Sequence, residues 1–176
     1  FISGVSEIPE RRYVRWICFF DNEMKGDLYT PSFKELNREL DSVDLTVKWY
    51  ERADAEQFLD KTLFVDVMSY LPEDLLVKVD IASMAHSLEA RSPFLDHKVM
   101  EFATSLPLKF KMTHNRQKHI LKKAFEKEIP LSFLNRKKKG FGVPVGRWFS
   151  GELKDFVRDV LLNKRTFKRG LFSEEY

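Results

Sequence analysis

At 176 residues the chain has about one domain's length, and a composition that is 43% hydrophobic, with 16 Phe, supplies a core and excludes an intrinsically disordered segment. The net charge is only +3 but unevenly spread: residues 1–106 carry 12 basic and 20 acidic side chains, and residues 107–176 carry 18 basic and 7 acidic. The C-terminal third is therefore a candidate surface for an anion such as a phosphate, a nucleotide or a nucleic acid. One cysteine, Cys18, excludes an intramolecular disulfide framework and a Cys-cluster metal site. No apolar run approaches the length of a membrane span. With no signal peptide and Phe1 in place of an initiator Met, the expectation is a cytoplasmic protein and a piece of a longer one.

In chain order, Glu10–Phe20 predicts a helix with Tyr13, Ile17 and Phe20 on one face. Pro31 suits a first turn, and Phe33, Leu36 and Leu40 follow as a stripe. The only strand candidate is Leu45–Tyr50, a weak one. Asp54 is placed to cap a long helix through Phe58, Phe64, Val65 and Met68. Pro72 interrupts it, and Glu73–Val79 reads as a further helical piece. Asp96 caps a helix bearing Val99, Met100, Phe102 and Ala103 that stops near Pro107. Arg116–Lys127 predicts a helix with Ile120, Leu121, Ala124 and Phe125 inward, and Trp148–Leu162 predicts the last long one. Strands alternating with helices are missing, so the chain reads as mainly α and does not build a complete parallel sheet.

Three stretches carry chemistry. In Tyr70–Asp96, Glu89 and Arg91 flank one Ala beside an apolar Pro-Phe-Leu turn. This suggests a partly buried ion pair that pins the turn. Lys118 stands near the start of a helix, in a lysine-rich segment that composition alone would leave as a solvated face. Arg136-Lys137-Lys138-Lys139 precedes Gly140-Phe141-Gly142. Four adjacent cations repel one another unless solvated or facing an anion, and a glycine-bounded loop can turn one lysine inward, where it suits a phosphate as a point charge. No glycine lies between Asp27 and Lys139, so no P-loop and no G-x-G-x-x-G is present. His86, His97, His114 and His119 contain no H-x-H or H-x-x-x-H pair, and no zinc site is expected. Cys18, within Trp16-Ile17-Cys18-Phe19-Phe20, is expected in the core.

Taken in order, Y-L-P-E-D-L-L-V-K-V-D (70–80), S-M-A-H-S-L-E-A-R-S-P-F-L-D (83–96), K-H-I-L-K-K-A-F-E (118–126) and R-K-K-K-G-F-G-V-P (136–144) resemble the C-terminal half of the synthetase domain of glutamine-hydrolysing asparagine synthetases and related amidotransferases. The resemblance covers about Asp66–Trp148, and residues 1–60 match loosely. It implies a helical C-terminal fragment, residues 1–176, of an α/β adenine-nucleotide domain of the PP-loop ATP pyrophosphatase type. It implies a ligase of asparagine biosynthesis that adenylates aspartate or a related carboxylate with ATP and Mg and releases pyrophosphate. Ammonia from a glutaminase domain then displaces AMP. It further implies that Lys138 is the catalytic lysine and also binds ATP, that Lys118 helps hold the phosphates, and that Asp74, with Glu73 second, orients the lysine. Fixed cations suit the charge that grows on the α-phosphate and the departing pyrophosphate.

Departures from the family pattern set limits. The Ser-Gly-Gly-x-Asp-Ser loop and the N-terminal nucleophilic cysteine of the glutaminase are not in this sequence, so the fragment alone is expected to be inactive. Ile81 stands where a basic residue is common in the family and Ser92 where an apolar one is. The competing reading is a basic helical nucleic-acid-binding or packing module using Lys137–Lys139 and Arg165–Arg169. It finds no nucleic-acid motif and gives the acids at 70–96 no role, so neither nucleic acid nor a membrane is an expected partner.

Overall fold

A computed structural model describes residues 7–114, 116–137 and 142–175. They form a mainly helical chain with one two-stranded antiparallel hairpin. The fold divides into two units, residues 1–47 with 139–176 and residues 48–138.

In the first unit, α1 (Pro9–Ile17), α2 (Asn22–Leu28) and α3 (Pro31–Leu36) are short because each is stopped locally, and α4 (Ser42–Arg52) begins there. Helix α1 ends at Ile17, where Cys18 turns extended, so the predicted run to Phe20 is three residues too long. Val14 is its buried residue, whereas Ile17 and Phe20 stay exposed. Cys18 is half-buried and not a core residue; its thiol donates to the Phe20 carbonyl oxygen. Asp21 caps α2 by accepting from the Met24 N–H at 2.9 Å, and Thr30 caps α3 by accepting from the Phe33 N–H at 3.3 Å. Helix α3 closes when the Asn37 amide donates to the Phe33 carbonyl, which leaves Leu36 and Leu40 outside any stripe and exposed.

Leu45–Tyr50, the strand candidate, lies inside α4. Its β-branched residues mislead, because Val43 and Tyr50 are both buried and sit seven residues apart, two helical turns. At the other end of the chain, the predicted helix Trp148–Leu162 is two helices, α11 (Val145–Ser150) and α12 (Lys154–Leu161), followed by α13 (Lys164–Phe167). The break is at Gly151, where an added Cβ would stand 2.9 Å from the Arg147 carbonyl oxygen. Beyond Gly170, which adopts a left-handed φ of +67°, the chain lies along the α2–α3 turn. There the Thr30 N–H donates to the Leu171 carbonyl and the Ser173 N–H to that of Leu28.

The second unit has its core where the end of α4 meets α5 (Phe58–Met68). Tyr50, Thr62 and Val65 are buried, and the Tyr50 and Phe58 rings stack at 5.8 Å. The Thr62 hydroxyl donates to the Phe58 carbonyl, so the Tyr50 hydroxyl, 3.2 Å away, donates to Thr62. Asp54 does not cap α5, which starts at Phe58 after Gln57 with no side-chain cap. After α5 the chain continues as a π-helical segment, Leu71–Leu76, running directly into α6 (Val77–Met84). Pro72 explains the widening, since it has no N–H to donate and its ring crowds the carbonyl one turn back. Helix α5 itself stops at Met68, where Ser69 leaves helical backbone at φ −128° and ψ −79°, so the helix is interrupted just before Pro72 and a further helical piece follows, as predicted.

A 3₁₀ turn at Pro93–Leu95 precedes α7 (His97–Ser105), where Asp96 caps as predicted, accepting from the N–H groups of Lys98 and Val99 at 3.0 and 3.3 Å. Helix α8 (Leu108–Lys111) leads into β1 (Met112–Thr113), which pairs antiparallel with β2 (Arg116–Gln117). The predicted helix Arg116–Lys127 is thus only α9 (His119–Ala124), because its first two residues are taken by the hairpin. Helix α10 (Leu131–Leu134) completes the unit.

Candidate active site

Lys118 is placed by the hairpin. Directly after β2 it adopts a left-handed backbone, φ 58° and ψ 39°, and stands at the N-cap of α9. A β-carbon makes that conformation cost roughly 1–2 kcal/mol, so the junction holds a lysine where local preference would select Gly or Asn. The side chain is exposed, and it forms no ion pair among the described residues.

Asp74 lies in the π-helical segment, half-exposed, with its carboxylate 3.6 Å from the Lys78 ammonium one turn on. Among the described residues this pair, and none with Lys118, is the ion pair of Asp74. Glu73, the second candidate, is on the same segment. Lys138 lies outside the described residues, and Lys118, Asp74 and Arg136–Lys137 belong to the same unit.

Glu89 and Arg91 form the expected pair, with two contacts at 2.8 and 3.2 Å. Both side chains are exposed, at 66% and 83%, so the pair is not the buried one expected and contributes little to stability.

Sequence reasoning missed a charged network in the first unit. Arg11 bonds Asp41 at 3.0 Å and Asp44, while Arg15 bonds Glu7 at 2.9 Å and Asp21 at 3.0 Å. Of these residues Glu7, Arg11 and Arg15 line a cavity of about 110 Å³ with Asn22, Glu23 and Val43. The network's signal was available: Arg11 and Arg15 are four residues apart, one helical face, among the acids of residues 7–44. The Asp21 carboxyl is held below its ordinary range by the Met24 N–H first and the Arg15 guanidinium next. For Asp41, burial acts upward, but the Val43 N–H with Arg11 and Asn22 outweighs it and the net direction is down. The partners raise both arginines, and within the network the Glu7 Oε2 atom is buried with no hydrogen-bond partner among the described residues.

Among the described residues no group of three His, Cys, Asp or Glu could hold a metal ion, and no helix is long and apolar enough to cross a membrane.

The lysine-bearing hairpin–helix junction and the acid-bearing segment after α5 belong to a family that sequence comparison defines. The asparagine synthase family model matches residues 8–176, and the chain belongs to that family. It is similar to asparagine synthetase [glutamine-hydrolyzing] 1 of Bacillus subtilis, with 33% identity over 88% of this chain and 24% of the relative. Asparagine synthetase [glutamine-hydrolyzing] 3 of the same organism is 41% identical over 69% of this chain and 22% of the relative. Amidase chry2 of Gibberella zeae is 30% identical over 90% of this chain and 23% of the relative. The chain therefore spans about a quarter of the length of these relatives. No solved structure is significantly similar.

Proposed function

We propose that the chain is the C-terminal portion of the synthetase domain of an ATP-dependent, amide-forming ligase, with its nucleotide loop on polypeptide that this sequence does not contain. In that reaction a carboxylate oxygen attacks the α-phosphorus of ATP, pyrophosphate leaves with the bridging electron pair, and an acyl-adenylate forms. Ammonia derived from glutamine then adds to the acyl carbon and expels AMP, giving the amide. Family membership supports this chemistry, as do relatives named glutamine-hydrolysing asparagine synthetases.

The observation that carries the reading is Lys118. A lysine kept at a hairpin–helix junction against its backbone preference supports a role for the side chain there, and a phosphate contact is the role that fits an ammonium. Lys138 supplies the second cation, which the glycines after it allow to come close to the anion. Asp74, or Glu73 beside it, orients a lysine by opposite charge. Magnesium, when bound, neutralises phosphate charge; with no carboxylate cluster among the described residues it would reach this portion on the phosphates themselves. The PP-loop α/β fold of the whole domain belongs to this same reading.

The carboxylate is aspartate or a related carboxylate. The nucleic-acid reading has no observation in its favour beyond exposed basic residues. The test is product analysis of this chain joined to the remainder of a family member: AMP, pyrophosphate and amide in equal amounts support the reading. ADP and phosphate in their place would overturn it.

A further inference from the structure

We propose that Asp60 and Lys111 are positioning residues for Lys118, tying the hairpin that carries it to the core of the second unit. The proposal rests on the reading of Lys118 as a phosphate contact and adds how that contact is held in place. Lys118 follows β2 directly, so its ammonium goes where the hairpin goes. The hairpin does not place itself. It consists of two residue pairs, Met112 with Gln117 and Thr113 with Arg116, and none of its described residues is buried. A lone two-stranded hairpin is marginal in water. Helix α8 before it has four residues, too few to stand as a helix unaided.

The root of the hairpin is held by Lys111, the last residue of α8 and the neighbour of Met112. Its ammonium donates to Asp60 Oδ1 on α5 at 2.7 Å and to the Thr104 carbonyl oxygen on α7 at 2.9 Å. One side chain therefore joins three helices at the point where β1 begins. The contact to Asp60 is charge-assisted, and both groups are mostly enclosed, so salt screens it little. Asp60 lies in the first turn of α5, the helix that carries the buried Thr62 and Val65. A continuous line thus runs from that core through Asp60, Lys111 and the two strands to Lys118, all within residues 48–138. Lys109, on the same short helix, is exposed, lies over the ring of its neighbour Phe110 at 5.4 Å and forms no ion pair among the described residues. It supplies the control: the same charge on the same segment, without the tie.

The test is a double-mutant cycle in a fusion in which this chain replaces the matched stretch of the Bacillus subtilis relative. Asp60→Asn keeps an acceptor and removes the charge, Lys111→Met removes the donor, and Lys109→Met is the control. Each is made with Lys118 present and in a Lys118→Ala background, and pyrophosphate release is assayed at a temperature where circular dichroism shows all variants folded. Amide hydrogen exchange of the peptide covering residues 112–118 reads the hairpin itself. With Lys118 present, Asp60→Asn and Lys111→Met should each lower release about tenfold, as a small misplacement of a contact does. In the Lys118→Ala background the same changes should matter less than about twofold, because the group they place is gone. The hairpin should exchange faster in both variants, and Lys109→Met should change neither readout. Equal losses in the two backgrounds would make the pair a general stabiliser and overturn the proposal, as would unchanged exchange across residues 112–118. Faster exchange in a fusion whose release does not depend on Lys118 keeps the placement and sinks the phosphate reading of Lys118.

Discussion

The Lys111 ammonium lies 2.7 Å from the Asp60 carboxylate, across 51 residues of sequence, and also donates to the Thr104 carbonyl at 2.9 Å. Both charged side chains are mostly buried, at 17% and 21% exposure. The pair fastens α8 to α5, and α8 leads directly into the hairpin that sets Lys118.

Lys111→Met keeps the stem and removes the charge, leaving Asp60 half-enclosed without its cation. We expect a loss of about 2 kcal/mol in urea unfolding. The Glu89→Gln change in the exposed pair with Arg91 should cost far less, within about 0.5 kcal/mol. Equal effects would show that burial does not separate the two pairs.

The depressed Asp21 and Asp41 carboxyls define an acid limb. An unfolded Asp has a pKa of about 3.9, so the folded state holds fewer protons below that value. The stabilisation is complete above about pH 5 and is lost as pH falls through the lower folded values. Asp41→Asn should flatten stability against pH below about pH 4 while leaving the slope between about pH 5 and 8 unchanged. Circular dichroism across an acid titration reads this directly, and a variant that changed only the neutral slope would contradict it.

Much of this was legible in the sequence, and the failures share a cause. The Asp96 cap, the Glu89–Arg91 pairing and the helical character were correct because they depend on neighbours a few residues away. The Leu45–Tyr50 strand failed because β-branched residues there follow tertiary packing in a helix. Residues 116–117 read as helix in the sequence, yet they pair with Met112–Thr113, and no glycine between the two strands signals that pairing. The expected burial of the Glu89–Arg91 pair and the Leu36–Leu40 stripe failed because apolar neighbours in sequence do not reveal whether a covering partner is present.

Lys118 allows backbone and charge to be separated. Lys118→Gly relieves the left-handed strain and Lys118→Ala does not, so the glycine variant should unfold about 1 kcal/mol later. Both remove the ammonium, and both should lower pyrophosphate release to the same extent in the domain-complete protein. Activity that followed stability would reassign Lys118 to the fold alone.

We propose that in the basic run Lys138 faces the nucleotide while Lys137 and Lys139 face solvent. The most direct measurement is ammonia-dependent pyrophosphate release by Lys138→Ala and Lys137→Ala in the domain-complete protein, with ammonia supplied so that glutaminase effects are bypassed. Lys138→Ala should lose about a hundredfold, on the order of 3 kcal/mol of charge stabilisation, and Lys137→Ala should change little. Equal, small losses in both variants would contradict the account and return the run to a solvated patch.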